Sequence, residues 1–412
     1  MVVGDGRVLY TGSAGLANIK ENRKVDSDTC FRTMSLGKQF TAAGALLMVQ
    51  KGQLKLDSPA SAYLSNLPKS WARVTVRDLL AHSSGVPSYN EMAGFAMQLS
   101  RDVGPAELMK PVFGLPLNFV PGTSSKYSNS DYFLLGLILQ KVSHQTLGAY
   151  LSKSVFAPLG MRRTHLEQPH ETGQNRAIGY SGSGTTFSET PYVSPNVIWA
   201  AGGFVSSARD LARWDIGLHS GNLLKASWVA TMQSPTRLGG PYGFGSEIGT
   251  FHGRPTAGHQ GSGIGFNTDY FVLPTEHLSV IVLCNSTRAP SEEIARHVAS
   301  LCVPGLSDEG KPAIADTNLR ITARVRHILQ NAAIGIADPT DFSLTIDKGF
   351  FEFLKRGGPK MLGPLGAIKQ LDLIASTLSV RRYRVQYEKG RLTWEFKFDA
   401  KGLVETMEPT KE

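Results

Sequence analysis

Ser35 and Lys38 stand three residues apart and open the longest apolar helical pattern in the chain, and no other serine is followed by lysine at that distance. A serine hydroxyl is a poor nucleophile until a neighbour takes its proton, and a lysine can do so only if burial or nearby cations bring its pKa towards neutrality. Positions three apart share a helix face, so the amine falls within hydrogen-bond reach of the hydroxyl. Helix N-terminal amides also favour negative charge developing on Ser35. Phe40, Ala42, Ala43, Leu46, Leu47 and Val49 make the run apolar around most of its circumference, which implies a helix enclosed by the core. A buried helix is therefore expected within Phe31 to Gly52, with Gly52 as a left-handed stop. On its own the pair has a plainer reading, a serine cap beside a surface charge. The spacing arises by chance about once in a chain of this length.

The elements that must position this pair follow in order. MVVGDGRVLY reads as strand, turn and strand. Thr75-Val-Arg-Asp78 resembles a capping box opening VRDLLAH, and His82-Ser-Ser-Gly85-Val-Pro87 stops that helix, either as a cleft wall or as a simple connector. Tyr127 and Asn129 fall at the entrance of a second apolar helix, FLLGLILQKVS. A tyrosine there either packs in the core or shuttles a proton near Ser35. Residues 160–195 read as long loops. Leu211, Trp214 and Leu218 share one face of a helix ended by Gly221. From Tyr242 the pattern changes to strands, YGFGSEIG, FNTDYFVLP and HLSVIVLCN, suited to an antiparallel meander, with His259-Gln-Gly261-Ser262-Gly263 between the first two. SEEIARHVASL closes this part as a helix.

The chain has 412 residues, 41% hydrophobic and 19% charged, which suits a globular protein of one large or two to three ordinary domains. No apolar run approaches the ~20 residues of a membrane-spanning helix. Cys30, Cys284 and Cys302 lack metal-ligand spacing and are expected to be buried free thiols. The net charge is +9, which suits an anionic partner, but the basic residues are scattered. Their densest cluster is Arg381, Arg382 and Arg384, and no nucleic-acid partner is expected. Gly, Pro and charge between Pro304 and Pro312 mark a boundary, giving domains at 1–306 and 312–412. The second reads as a small α+β unit, with Ile321, Val325, Ile328 and Leu329 on one helical face and the strands YRVQY, LTWEFKF and LVETM.

Taken in order, Ser35-Leu-Gly-Lys38, Tyr127-Ser-Asn129 and His259-Gln-Gly261 resemble the three active-site elements of the serine β-lactamase and penicillin-binding-protein superfamily. Tyrosine in the second element and histidine in the third look like the class C β-lactamase-related branch of esterases, D-aminopeptidases and DD-peptidases. VRDLLAHSSGVP, FAPLGMRRT, AGGFVSSARDLARW and YGFG look like stretches common in that branch. The resemblance covers residues 1 to about 300. It implies an α+β fold in which a five-stranded antiparallel sheet, built from both ends of the domain and flanked by helices, faces a mostly helical subdomain. It also implies that Ser35 is the acylated nucleophile and that Lys38 and Tyr127 share the proton transfers, either being the base. Asn129 would bind the substrate's acyl-side amide and orient Lys38, while His259 and Gly261 would sit on the strand lining the cleft. The backbone amides of Ser35 and Ser262 would form an oxyanion hole, one such donor being worth ~3 kcal/mol.

The implied activity is hydrolysis of a small ester or D-amino-acid amide or peptide, without cofactor or metal. The alternatives are a β-lactamase, or an acylating penicillin-binding or sensor protein that does not turn over. The family's β-lactamases usually have lysine where His259 stands, and histidine is mostly uncharged near neutral pH, so recognition of a substrate carboxylate is expected to be weaker. The family also normally has more chain before the first strand. The location expected is cytoplasmic for a complete chain, and periplasmic or secreted if a leader was removed. For residues 312–412 the expected roles are gating the cleft, binding cell-wall polymer or dimerisation, and the oligomeric state is left open.

Overall fold

Val2–Gly4 (β1) and Arg7–Tyr10 (β2) form the hairpin expected of MVVGDGRVLY. Asp5 and Gly6 both have positive φ, 50° and 71°, the backbone of the hairpin turn whose twist matches its strands. β1 pairs on its other side with the far end of the domain, because the strands Glu247–Phe251 (β3), Arg254–Gly263 (β4), Phe266–Leu273 (β5) and Leu278–Cys284 (β6) complete an antiparallel sheet of order β3-β4-β5-β6-β1-β2. The sheet thus has six strands where five were expected. It also contains a strand, β4, that composition assigned to a connection: RPTAGHQGSG is rich in Gly, Pro and polar residues and carries no alternation. The structure, a computed structural model, describes all residues except 174, 184, 185, 237, 239, 307, 309, 310, 345, 347, 411 and 412. Part of the 160–195 loop region, and of the boundary between Pro304 and Pro312, lies outside those described.

The helix Lys38–Gln50 (α1) is buried from Lys38 to Met48 and ends with Gly52 in the left-handed conformation, φ 71°. Phe31, at the start of the stretch expected to hold α1, lies in a short strand, Cys30–Arg32, paired with Phe204–Ser207, and the helical turns begin at Met34. Around α1 the core is aromatic. Phe40 meets Phe156, Phe204 and Trp214 edge to face at 5.2, 5.5 and 5.1 Å, an arrangement worth about 0.5–1.5 kcal/mol per pair beyond the area buried. The Trp214 indole donates to Gln39 Oε1 at 3.0 Å, and the Tyr150 hydroxyl donates to the Gly44 carbonyl at 2.8 Å. The helix Asn129–Ser143 (α2) packs beside α1. Asp215, on the helix Ala208–His219, accepts hydrogen bonds from Tyr270 and Ser279 of the sheet, both at 2.5 Å. The capping box at Thr75 forms as expected, with Asp78 completing it.

The chain divides into two compact units, Met1–Ala299 and Ser300–Glu412. The second holds a four-stranded antiparallel sheet, Ile368–Ser376, Val380–Tyr387, Gly390–Phe398 and Val404–Thr410 in that order, with helices Leu319–Ala333 and Lys348–Leu362. Val325, Ile328, Leu329, Tyr383, Trp394 and Phe396 are buried in its core. The first of these strands and the second helix were not legible: two irregularities interrupt the strand's alternation, and Gly357-Gly358-Pro359 resembles a break inside the helix. The arginine cluster is consumed internally. Arg381 pairs with Asp316 at 2.9 Å, Arg382 with Asp308 and Glu395 at 3.1 Å each, and Arg384 donates to the Lys311 carbonyl at 2.8 Å. All three thiols are free; Cys30 is buried, but Cys284 is half-buried and Cys302, near the end of an amphipathic helix, is exposed, contrary to expectation. Among the described residues no helix is long and apolar enough to cross a membrane.

Two glycines let backbone approach the turn that carries Ser35. A Cβ at residue 202 would lie 2.7 Å from the Met34 carbonyl carbon and oxygen, and one at residue 261 would lie 2.2 Å from the Thr33 oxygen. Since backbone cannot yield as a flexible side chain can, Gly202→Ala should cost about 1–3 kcal/mol in urea unfolding. Gly114→Ala, where nothing lies within 4 Å, should stay within about 0.5 kcal/mol of the parent.

Candidate active site

The Cys30–Arg32 strand delivers the chain to Ser35 under constraint from both sides. The Thr33 amide donates to the Phe204 carbonyl at 2.9 Å, and the Thr268 hydroxyl of β5 donates to the Thr33 carbonyl at 2.9 Å. Arg32 clasps the buried Glu167 carboxylate with two bonds, 2.8 and 2.9 Å. Met34 then turns the chain with φ 51°, a conformation costly for a non-glycine residue and sustained only where the surroundings enforce it. One turn of 3-10 helix, Met34–Gly37, leads from there into α1. Ser35 sits at this helical start, half-buried.

Lys38 is fully buried, and its amine meets three oxygens: Ser35 Oγ at 3.3 Å, Asn129 Oδ1 at 2.8 Å and the Ala201 carbonyl at 2.8 Å. Burial brings its pKa down to about 7, against the opposing pull of Glu247 and Asp131. Three acceptors position the nitrogen without neutralising a charge, and that leaves desolvation dominant. Asn129 is oriented in turn. Its side-chain amide donates to Asn90 Oδ1 at 3.0 Å and its backbone amide to Ser88 Oγ at 2.8 Å, so its carbonyl oxygen faces Lys38.

Tyr127, two residues before α2 begins, donates to Ser35 Oγ at 2.9 Å. Burial raises its pKa above the usual phenol range, so at neutral pH it is a proton donor. Its ring packs against His82, 4.6 Å between centroids, and Tyr242, 5.8 Å. His82 Nδ1 lies 3.0 Å from Asp131 Oδ2 and accepts the Ser128 amide at 3.2 Å, while Ser84 donates to Asp131 Oδ1 at 2.5 Å. Burial lowers His82 and raises Asp131, each far from its ordinary value, so the pair is held neutral. The turn His82–Pro87 is therefore the support beneath Tyr127.

His259 and Gly261 lie on β4. The imidazole is buried, and its Nδ1–H donates to the Gln260 carbonyl at 2.6 Å, which fixes the tautomer. Burial lowers its pKa, outweighing the pull of Glu247, so the ring is neutral at pH 7. The pairing of β3 with β4 ends at Glu247 opposite Gly258, and the Gln260 amide beyond it points towards Glu247. Amide direction alternates along a strand, so the Ser262 amide points to the same uncovered edge.

The structure thus brings Ser35, Lys38, Tyr127 and Asn129 into direct contact, with His259 6.2 Å from Tyr127 between ring centroids. Sequence reasoning did not find Asn90, the Ala201 carbonyl, the His82–Asp131 pair or Glu247; only His82 carried a signal, as a possible cleft wall. A nucleophile flanked by a desolvated amine and a protonated phenol can exchange its proton with either. Away from this site, and among the described residues, one group could hold a metal ion, His327, Asp338 and Asp341. Arg324 already lies 3.3 Å from Asp341.

Comparison with known proteins agrees with this geometry. The beta-lactamase family model matches residues 1–302. Penicillin-binding protein 4* of Bacillus subtilis is 31% identical over 266 residues, 58% of this chain and 57% of that protein. Protein flp of Staphylococcus aureus is 28% identical over 222 residues, 52% of this chain and 43% of that protein. The chain thus spans about half the length of the curated relatives it matches. Among solved structures, the D-amino acid amidase of Ochrobactrum anthropi SV3 has a TM-score of 0.61 at 26% identity, covering 69% of this chain and 85% of that one. An octameric penicillin-binding protein homologue from Pyrococcus abyssi has a TM-score of 0.64 at 24% identity, covering 97% of this chain and 91% of that one, and so shares the fold. With a family match over most of its length and the Ser35 hydroxyl, Lys38 amine and Tyr127 phenol in contact, the chain belongs to the beta-lactamase family, in the superfamily of serine β-lactamases and penicillin-binding proteins.

Proposed function

We propose that the protein is a serine hydrolase that acts through an acyl-Ser35 intermediate on a small ester or D-amino-acid amide or peptide. The observation that carries this reading is the Ser35 hydroxyl between a buried amine at 3.3 Å and a phenol at 2.9 Å. Neutral Lys38 is the base: as Ser35 Oγ attacks the acyl carbonyl, its proton passes to Lys38. Tyr127 protonates the leaving oxygen or nitrogen and is reprotonated from Lys38. Water then attacks the ester, restoring Ser35 and releasing the acid. Tyr127 is a poor choice of base, because burial keeps it a phenol.

The remaining roles are those the family resemblance implies, and the positions of the residues are compatible with them. Asn129 orients Lys38 and binds the acyl-side amide, His259 and Gly261 line the cleft, and the amides of Ser35 and Ser262 receive the oxyanion. Fixed amides need no reorganisation as charge develops. Residues 1–306 form the hydrolase domain in this reading, and 312–412 an accessory one. The D-amino-acid preference draws on the amidase named above and on His259, a neutral ring where carboxylate-binding relatives usually have lysine.

Replacing Ser35 by alanine should lower kcat/KM for a short-chain aryl ester at least about 10³-fold while leaving thermal unfolding nearly unchanged; retained turnover would end the assignment. Acyl-enzyme that accumulates without product release would point to a sensor instead. For the parent enzyme, kcat/KM should rise with pH through about 7 as Lys38 loses its proton, and then stay level through the range in which Tyr127 remains protonated. A profile that falls above neutrality would exclude Lys38 as the base.

A further inference from the structure

Glu247 has no task in the mechanism above, yet its carboxylate stands beside His259. It opens β3; its Oε2 accepts the Gln260 amide at 3.2 Å, its Oε1 lies 3.7 Å from His259 Nδ1, and its side chain is 40% exposed. The Gln260 bond ties the carboxylate beside His259, and His259 in turn packs against Tyr127. The proton donor to the leaving group and this carboxylate therefore flank the same imidazole.

Among the described residues, little around Glu247 offsets its charge. His259 is buried and neutral, its one proton committed to the Gln260 carbonyl. His82 and Asp131 form a neutral pair. Asp269, opposite Gln260 on β5, is buried and pushed towards its neutral acid. Lys126 is paired with Glu91 at 3.0 Å on the surface. Glu247 also acts on Lys38, Tyr127 and Tyr242, raising the pKa of each, so its potential reaches the reacting atoms. Once Lys38 has lost its proton, this end of the cleft is negative.

We propose that Glu247 is a specificity-determining residue that sets the charge preference at the leaving-group end of the cleft, favouring substrates whose leaving group carries an ammonium over those whose leaving group carries a carboxylate. This rests on the serine-hydrolase reading. Esters and amides of cationic alcohols and amines are then the preferred class. Substrates with a carboxylate beside the scissile bond meet a carboxylate next to His259, the position at which the family's β-lactamases usually carry lysine. At a separation of several ångströms in a partly wet cleft, one charge should separate the two classes about tenfold, less at high salt.

The test uses three acetate esters that differ in leaving-group charge: phenyl acetate, 3-acetoxybenzoate and (3-acetoxyphenyl)trimethylammonium. Their kcat/KM values are measured for the full chain, Ser35→Ala, Glu247→Gln and Glu247→Lys, at one pH above the Lys38 transition and at low salt. The readout is the cation-to-anion ratio in the variant relative to that in the parent, which cancels both intrinsic ester reactivity and any change in Lys38. Glu247→Gln should reduce the ratio about tenfold and Glu247→Lys further, while thermal unfolding confirms that both variants fold. Ser35-dependent turnover with the ratio unchanged in both variants would overturn the charge selection and leave the hydrolase reading intact. Absence of Ser35-dependent turnover on all three esters would overturn the hydrolase reading and this inference with it.

Discussion

The desolvation of one amine is the constraint on which the rest of the structure depends. Lys38 has its nitrogen among Ser35, Asn129 and the Ala201 carbonyl, with no carboxylate in contact among the described residues. A paired lysine would stay charged and useless as a base, and an exposed one would titrate near its ordinary value. Burial without an ion pair gives an amine poised near neutrality, at a cost to the fold. The sign follows from linkage: between about 7 and the ordinary lysine value of 10.5, the unfolded chain holds a proton that the folded one lacks. The penalty from Lys38 is therefore complete below about pH 7 and fades as pH rises towards 10.5. The aromatic packing of Phe40, Phe156, Phe204 and Trp214 beneath α1 is the kind of core that offsets such a cost.

The second constraint is positional. Ser35, Asn129 and Ala201 come from three separated parts of the chain and meet at the Lys38 amine within hydrogen-bond distance, and β4 lies against the turn that carries Ser35, because backbone approaches backbone closely. The Thr33 carbonyl is held by Thr268 and its amide by Phe204; Gly261 leaves room for the first contact, and Gly202 for the Met34 backbone that follows. Met34 at positive φ is the local strain that this enclosure sustains.

These two constraints explain what the sequence showed and what it hid. The Ser35–Lys38 spacing, the apolar run of α1 and the aromatic and amide residues at the start of α2 are local patterns, and each is found where periodicity and capping rules put it. β4 has no local strand pattern, because a strand that lies against the turn carrying Ser35 needs Gly258, Gly261 and Gly263, which read as a connection; only the resemblance put His259 and Gly261 on a strand. The sixth strand was visible as half of the N-terminal hairpin, but its membership of the main sheet depends on β1 pairing with β6 across nearly the whole first unit. The Ala201 carbonyl has no side-chain signature at all. Asn90 and Glu247 act through contacts between distant segments, and no spacing rule reaches them. In the second unit the strands with clean alternation were legible, whereas Ile368–Ser376, with its register shifts, was not.

The proposed mechanism requires Lys38 to be neutral near physiological pH, and the most direct measurement is its own titration. Protein carrying ¹³Cε-lysine would be followed by NMR from about pH 5 to 10, with the Lys38 resonance identified by its loss in Lys38→Met. A midpoint at about 7, well separated from the other lysines, is the expected result. A Lys38 resonance that titrates with the exposed lysines, near 10.5, would mean that the amine stays charged beside Ser35, and the mechanism built on it would be contradicted.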